Sequence, residues 1–434
     1  MWSSMNDWVN VRLGDLIDIK HGFAFRGEFF APEPPGDLLM TPGNFAIGGG
    51  FQWGKSKYYR GPVPDEYILR PGDLIVTMTD LSKEADTLGY AAIVPNHNAR
   101  LLHNQRIGKV VVRSVRASPL FLYWMMRSHE YRNEILASVT GSTVKHTSPT
   151  KILAFQFALP NLDEQSAIAS ILGALDDKID LNRRMNETLE AMARAIFQDW
   201  FVTFGPTRAK QEGRPPYLAP DLWSLFPNRL DDDGKPEGWQ AVPLDQIAEF
   251  LNGLALQKYP GTGVSDLPVI KIAQLRAGHA DGGDWASSAI PPQYVVEDGD
   301  VLFSWSGSLI QRVWTGGPGA LNQHLFKVTS TRWPKWLHYF WVDHHLPTFQ
   351  SIAASKATTM GHIQRHHLSE AETVLGPQAV MDAANEIIAP LFQRMIANAI
   401  ESRTLAATRD LLLPKLMSGE LRVKDAERLA EAAL

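Results

Sequence analysis

The chain repeats itself, and the repeat limits its architecture before any single element is assigned. Segments of the first half return in the second in the same order, at offsets of 215–231 residues. Trp8-x-x-Val11-x-Leu13 returns as Trp239-x-x-Val242-x-Leu244, and Gly22-Phe23-Ala24-Phe25 as Gly253-Leu254-Ala255-Leu256. Gly72-Asp73-Leu74-Ile75 returns as Gly299-Asp300-Val301-Leu302; Asn104-Gln105 as Asn322-Gln323, with Lys109 matching Lys327. Pro119-x-Phe121-Leu122-Tyr123 matches Pro334-x-Trp336-Leu337-His338, and Ser142-Thr143-x-x-His146 matches Thr358-Thr359-x-x-His362. Any one match is chance-level, but a collinear set marks a duplicated fold unit. Duplication kept only for stability is the plain alternative; two similar modules reading two similar targets is the reading adopted here.

Within each half, short apolar runs broken by Gly and Pro read as strands, for example 73–78 and 106–112, and a helix is expected near 120–137. The mixture is α+β. A long helix follows each half. Asp163-Glu164 opens the first at the positive end of the helix dipole. Its apolar residues Ile168, Leu172, Leu175, Ile179, Leu189 and Ile196 are separated by sums of three and four. At 1.5 Å per residue the rod is about 55 Å long. Ala384, Ile388, Leu391, Met395, Leu405 and Leu412 repeat the spacing 216 residues later, and Asn182 and Asn398 occupy one matched seam position. Matched seams predict that the two helices pair as an antiparallel coiled coil, the alternative being that each packs on its own half; a buried Asn would fix register. Pro390 is expected to kink the second helix near its start. Residues 205–238, with Gly205-Pro206, Arg214-Pro215-Pro216 and Asp231-Asp232-Asp233-Gly234, read as a connector, laid on a surface through Trp223 and Phe226. The expected division is 1–160, 161–204 (helix), 205–238 (connector), 239–377, 378–418 (helix) and 419–434 (tail).

At 434 residues and 44% hydrophobic, the chain has the length and apolar content for several packed cores. It has no Cys, which excludes disulfides and Cys-based zinc sites and suits a reducing, cytoplasmic compartment. No leader pattern opens the sequence and no uncharged apolar run approaches membrane-spanning length. The net charge of −5 argues against a polyanion partner until its distribution is read. Residues 1–160 carry 17 Lys and Arg against 14 Asp and Glu; the first long helix region, 161–204, carries 4 against 8. The second module, 239–377, is not basic (9 against 11) but holds 8 of the 13 His.

Four motifs imitate active sites. Gly49-Gly50-Phe51-Gln52-Trp53-Gly54-Lys55-Ser56 matches the phosphate-binding loop pattern, but Lys57-Tyr58-Tyr59-Arg60-Gly61-Pro62 follows where a helix is required. Cations and aromatics there suit DNA phosphates and base stacking instead. Pro220-Asp221 with Asp233-x-Lys235 matches a loose metal-nuclease pattern, without strands to bring the carboxylates together. Arg214-Pro215-Pro216-Tyr217 resembles the Pro-Pro-aromatic element of adenine methyltransferases, but Arg can only donate where an acceptor is needed. His362-x-x-x-His366-His367 has helical ligand spacing yet no evident acidic third ligand, so donation to phosphates or bases is preferred to metal.

Several segments together resemble the specificity subunits of type I restriction–modification enzymes. These are Leu159-Pro160-Asn161-Leu162-Asp163-Glu164-Gln165, Leu175-Asp176-Asp177-Lys178-Ile179-Asp180-Leu181-Asn182, Phe197-Gln198-Asp199-Trp200-Phe201 with Phe204-Gly205-Pro206, and Arg409-Asp410-Leu411-Leu412-Leu413-Pro414-Lys415-Leu416 through Leu421. Thr41-Pro42-Gly43-Asn44-Phe45 and Gly141-Ser142-Thr143-Val144-Lys145-His146 are similar to parts of that family's target recognition domains. The resemblance implies two target recognition domains in tandem, each reading half of a bipartite site in double-stranded DNA. It implies a helix pair that sets the gap and docks two methylation subunits, with restriction subunits added outside. S-adenosylmethionine, ATP and Mg²⁺ would sit on those partners, leaving this chain non-catalytic.

Candidate DNA contacts in the first module are Lys55, Lys57, Tyr59, Arg60, Asn104, Gln105, Arg106, Ser142, Thr143, Lys145 and His146. In the second they are Lys271, Gln274, Arg276, Ser306, Arg312, Asn322, Gln323, Thr358, Thr359, His362 and Arg365. Asn and Gln suit adenine edges and Arg suits guanine; for the repeated Asn-Gln a structural turn is an equal reading. A self-sufficient nuclease built on Asp221, Asp233 and Lys235, and a protein-only scaffold, are the competing functions.

Overall fold

The computed structural model describes residues 8–141, 144–355 and 361–434. The chain divides into two compact units, one running to Asp177 and taking in Leu405–Leu434, the other Lys178–Thr404. Each unit thus takes in a stretch of both long helices, which the sequence division treats as separate.

The buried runs Leu74–Thr77 and Val301–Ser304 have no exposed residue. Strands buried on both faces belong inside a sheet, and each is central. In the first unit the antiparallel order is Ile17–His21, Ile107–Val112, Leu74–Thr77, Ala91–Ile93. In the second it is Glu249–Asn252, Leu325–Thr329, Val301–Ser304, Gln311–Val313. A second sheet repeats as well. Asp37–Leu39 runs parallel to Leu101–Leu102, which pairs antiparallel with Ile68–Leu69. Leu267–Ile270 runs parallel to Gly319–Leu321, which pairs antiparallel with Val295–Val296. Closing ribbons, Val9–Arg12 with Gln156–Leu159 and Gln240–Pro243 with Glu372–Leu375, complete the correspondence.

The repeated residues explain why both halves fold alike. Gly72 and Gly299 take left-handed φ of +86° and +89° in the turn before the central strand, a conformation that costs glycine little. The following aspartate caps that turn: Asp73 accepts from the Arg70 amide and Asp300 from the Glu297 amide, both at 2.8 Å. Each also pairs across the sheet, Asp73 with Lys109 at 2.6 Å and Asp300 with Lys327 at 2.7 Å. At Gly22 a Cβ would lie 2.1 Å from the Asn104 carbonyl oxygen, and at Gly253 2.3 Å from that of Asn322. Only glycine lets these strand ends meet the Asn-Gln turn.

Elsewhere the halves diverge. The helix expected near 120–137 is two helices, Pro119–Met125 and His129–Ala137, because the Ser128 hydroxyl accepts from the Tyr131 amide and starts a new N-terminus. Its counterpart Lys335–Ser355 is one helix running through Pro347. The connector is not purely loop. It forms helices Gly205–Gln211 and Pro220–Ser224 and buries Phe226 against Trp200 and Trp239. The tail folds too, as Val423–Glu431, burying Val423, Ala426 and Ala430.

The long helices span Leu162–Phe197, continuing as a wider turn over Gln198–Val202, and Gln378–Met417. The second runs on through Pro390 as one helix. In the second unit they pair antiparallel: Asn182 Nδ2 donates to Glu401 Oε2 at 2.8 Å and Asn186 Nδ2 to the Met395 carbonyl at 2.9 Å. Leu172, Leu175, Ile388, Leu405 and Leu412 are fully buried, while Ile179, Leu189, Ile196, Leu391 and Met395 are half-buried. Asn182 and Asn398 are buried but do not bond each other; Asn398 Nδ2 donates to Asn186 Oδ1 at 2.9 Å. Among the described residues neither Oδ1 atom of Asn182 and Asn398 has a partner, a cost that an apolar seam would avoid and that ties the pair to one register. In the first unit Asp176 bridges Arg127 at 2.7 Å and Arg409 at 2.5 Å.

Candidate nucleic-acid interface

In the first module the Asn-Gln turn organises the site. Phe23 and Asn104 form a parallel bridge, and Asn104 Oδ1 accepts from the Arg106 amide at 3.0 Å. The asparagine therefore closes the turn, and Gln105 and Arg106 are left exposed at its tip. They line a cleft of about 540 Å³ with Lys57, Gln52 and Asp80, and with the exposed apolar residues Phe30, Ile47 and Leu81. A neighbouring cleft of about 430 Å³ shares Gln105 and adds His21, Thr79 and His146. His146 is brought there by pairing of Lys145–His146 with Thr79–Asp80, and its Nδ1 lies 3.3 Å from Thr79 Oγ1. Burial alone would raise the Asp80 carboxyl, but hydrogen bonds from Thr87 and Ser82 hold it below its usual range.

Two candidates of this module are already engaged within the fold. Tyr59 is 2% exposed, its ring packed edge-on against Phe25, Phe29 and Phe30, so it is a core residue. Arg60 donates to the Pro35 carbonyl at 2.9 Å and the Glu33 carbonyl at 3.2 Å, clamping backbone. Lys55 is exposed. Ser142 and Thr143, like Thr358 and Thr359 of the second module, lie outside the described residues.

The second module divides its described candidates between helix Ile272–Ala277 with Arg312 and the Asn-Gln turn with Ser306 and His362. Arg276 and Arg312 line a groove with Asn186, Met395 and Ala399. Arg312 donates to the Leu275 and Arg276 carbonyls at the end of helix Ile272–Ala277, so it is a C-terminal cap. Lys271 pairs with Asp284. Gln274 is half-buried, its Oε1 without a partner. Asn322 and Ser306 are buried: Asn322 closes the turn by accepting from the His324 amide at 3.2 Å, and Ser306 Oγ lies 3.0 Å from His324 Nδ1. Gln323 is half-buried. His362 forms an antiparallel bridge with Ser306, and Arg365 lies 5.6 Å over the Phe326 ring with a hydrogen bond to the Phe250 carbonyl. Sequence reasoning missed His21, Gln52, Leu81 and His324, none of which is a Lys or Arg or stands in a matched pair of the repeat.

The imitation motifs resolve into structural parts. Gly48, Gly49 and Gly50 have φ of +86°, +89° and +94°, but the Gly49 and Gly50 amides are spent on the Ala46 and Ala91 carbonyls. The Gly48 carbonyl accepts from Arg127 Nε at 2.9 Å, so this loop is a docking hairpin and offers no amide cradle. Lys235 Nζ pairs with Asp231 and Asp233, and Asp221 opens a separate helix. Tyr217 of the Pro-Pro-aromatic element donates to Asp199 Oδ2 at 2.8 Å and packs edge-on against Trp223.

Among the described residues, the His/Cys/Asp/Glu group able to surround a cation is His366, His367 and Glu370, with ligand atoms within 4.8 Å of one another. Neither His362 nor the Asp221–Asp233 pair belongs to it. The helix begins at Arg365, after His362, which removes the assumed helical spacing. His367 Nδ1 already accepts from the Gln364 amide at 2.9 Å. No described helix is long and apolar enough to cross a membrane.

Residues 5–191 match the family model described as the type I restriction modification DNA specificity domain. The MjaIX specificity subunit of Methanocaldococcus jannaschii is 23% identical over 348 residues, covering 78% of this chain and 76% of that protein. The HindI specificity subunit of Haemophilus influenzae is 21% identical over 407 residues, covering 81% and 85%. The type I restriction–modification S subunit from M. genitalium superposes with a TM-score of 0.58 at 15% identity, covering 95% of this chain and 96% of that one, which supports the shared fold. Residues 5–191 thus carry a type I restriction modification DNA specificity domain, and along most of its length the chain is similar to the specificity subunits of type I restriction enzymes.

Proposed function

We propose that this chain is the DNA-reading component of a type I restriction–modification complex, with each module reading one half of a bipartite duplex site. The carrying observation is one sheet topology built twice, with Lys57, Gln105 and Arg106 exposed around a cleft in the first copy. Cations supply affinity and register through phosphates, and polar side chains at a groove-facing tip supply discrimination. The paired helices set the gap between half-sites and dock two methylation subunits, outside which restriction subunits assemble. The chain itself is non-catalytic, acts in the cytoplasm, and leaves S-adenosylmethionine, ATP and Mg²⁺ to its partners. Co-expression with the methylation subunits followed by mapping of methylated adenines tests this. Two short specified blocks separated by a fixed unspecified gap are expected, and exchange of residues 239–377 for those of another such chain should rewrite one block only. Methylation without a gapped motif would overturn the assignment.

A further inference from the structure

The loop between the central and edge strands differs between the modules. In the second module it is tight: the Ser304 hydroxyl donates to the Ser308 carbonyl at 2.7 Å and accepts from the Ile310 amide at 2.9 Å, and Leu309 is 3% exposed. In the first, residues 81–88 form a larger loop held from two sides. From within, the Asp80 carboxylate accepts from the Ser82 amide, the Thr87 amide and the Thr87 hydroxyl, each at 2.6 Å. From beneath, the buried Arg132 guanidinium donates to the Ala85 and Leu88 carbonyls and lies 4.5 Å over the Tyr90 ring. Ala85 is held at φ +57°, a conformation that needs such support in a residue with a side chain.

So firmly built a loop presents an aliphatic residue to solvent. Leu81 is 65% exposed, and Ile47 beside the same cleft is 74% exposed. Lys57, Gln105 and Arg106 line the same cleft, and no ion pair among the described residues engages Lys57 or Arg106. Isolated exposed aliphatics need no explanation. A pair of them sharing a cleft with the Gln105 amide, beside cations placed to meet phosphates, suits the edge of a base pair in the major groove. There the thymine C5-methyl is the apolar feature among donors and acceptors.

We propose that Leu81, with Ile47, is a specificity-determining contact of the first module that reads a thymine methyl group, and that Asp80 and Arg132 are the positioning residues that hold it there. The inference rests on the DNA-reading function proposed above. The second module, with Leu309 turned into its core, reads its half-site without this contact.

The test uses the full chain in complex with its methylation subunits. Duplexes selected from a random pool define the bound motif, and each thymine in it is then replaced by deoxyuridine, which lacks only the methyl. One thymine in one half-site is expected to lose about fourfold in affinity on replacement, the worth of one buried methyl-sized group. Leu81→Ala should abolish that sensitivity and Leu81→Met should retain it, with replacements in the other half-site unaffected by either. A clear motif with no methyl-sensitive thymine, or the same sensitivity in Leu81→Ala, overturns the contact while leaving DNA reading intact. Failure of the wild-type complex to select any motif overturns both. If Leu81→Ala instead weakens assembly with the methylation subunits and leaves the deoxyuridine pattern unchanged, the residue serves a protein interface and the contact is again overturned.

Discussion

Replacing Asp300 by Ala separates the scaffold role of the repeated residues from a role in DNA contact. The carboxylate makes two interactions: it accepts from the Glu297 amide at 2.8 Å and pairs with Lys327 at 2.7 Å. The side chains of Asp300 and Lys327 are 18% and 16% exposed, so water screens the pair only in part. Removal leaves the Lys327 ammonium with the Val295 carbonyl, at 3.0 Å, as its protein acceptor, and strips the turn of its cap. A hydrogen bond to a charged group contributes about 1.5–3 kcal/mol, and stranding one partner of a buried pair costs about 3–5 kcal/mol. With partial solvent access, a loss of about 3 kcal/mol is expected in the unfolding of this module. Urea denaturation followed by tryptophan fluorescence reads it, because Trp305, Trp314, Trp333, Trp336 and Trp341 all lie in this module. A double-mutant cycle with Lys327→Ala should show coupling of about 1–2 kcal/mol, and Lys327→Ala should leave the salt dependence of DNA binding unchanged. If Asp300→Ala stayed within about 0.5 kcal/mol of wild type while Lys327→Ala flattened the salt slope by about one unit, the repeated lysine would be a phosphate contact and the scaffold argument would fail.

Lys57→Ala and Arg106→Ala should weaken binding to all duplexes alike and each lower the salt slope by about one; titrations at several salt concentrations check this. Arg60→Ala should leave the slope alone and lower the first module's denaturation midpoint, because its guanidinium already serves the Glu33 and Pro35 carbonyls. Gly253→Ala places a Cβ 2.3 Å from the Asn322 carbonyl oxygen and should cost about 1–3 kcal/mol or displace the turn; an unaltered midpoint would count against the close approach. Burial holds the His338 imidazole down to about 4, and neither ring nitrogen has a partner among the described residues. The unfolded chain takes up this proton near pH 6.5, so the contribution is intact above that pH. It is lost as pH falls toward 4, by about 3 kcal/mol in all. Subtracting the pH–stability curve of His338→Phe from that of wild type should expose the slope, and a difference that stays level across pH 4–7 refutes it.

The architecture was legible because it was written twice. Strand runs such as Leu74–Thr77 open on three consecutive apolar residues, and heptad-like spacing survives averaging over ten turns of helix, so Leu172, Leu175, Leu405 and Leu412 were identifiable by period alone. The break at Ser128 was hidden because a serine N-cap inside an apolar helical pattern is read only once its hydroxyl is seen on the Tyr131 amide. Binding residues were harder for a related reason. Residue type announces what a side chain can do, whereas local packing decides whether it is free to do it. Tyr59, Arg60 and Arg312 carry the chemistry of DNA contacts, and the fold has already committed each to a ring cluster, a backbone clamp or a helix cap. The turns that hold Gln105 and Arg106 exposed follow from Asn104, whose neighbouring glycine at position 22 was the available signal.

These placements divide the chain's residues by a physical rule. Positions that recur between halves satisfy requirements set by the backbone: the left-handed turn at Gly72 and Gly299, the cross-sheet pairs of Asp73 and Asp300, the close approach at Gly22 and Gly253. Each requirement is identical in two copies of one topology, so the same residue type answers it twice. A surface that discriminates one DNA sequence from another is under no such requirement, and two modules reading different half-sites must differ there. The exposed Leu81 against the buried Leu309, and the unpaired Lys57 and Arg106 against the engaged Lys271 and Arg312, are differences of that kind. In this chain the repeat, Gln105 and Gln323 apart, therefore locates the scaffold, and departure from the repeat locates the rest of the reading surface, so exchanging residues 81–88 for the shorter 305–309 turn should alter the first module's sequence preference while its paired Asp73 and Lys109 keep the sheet intact.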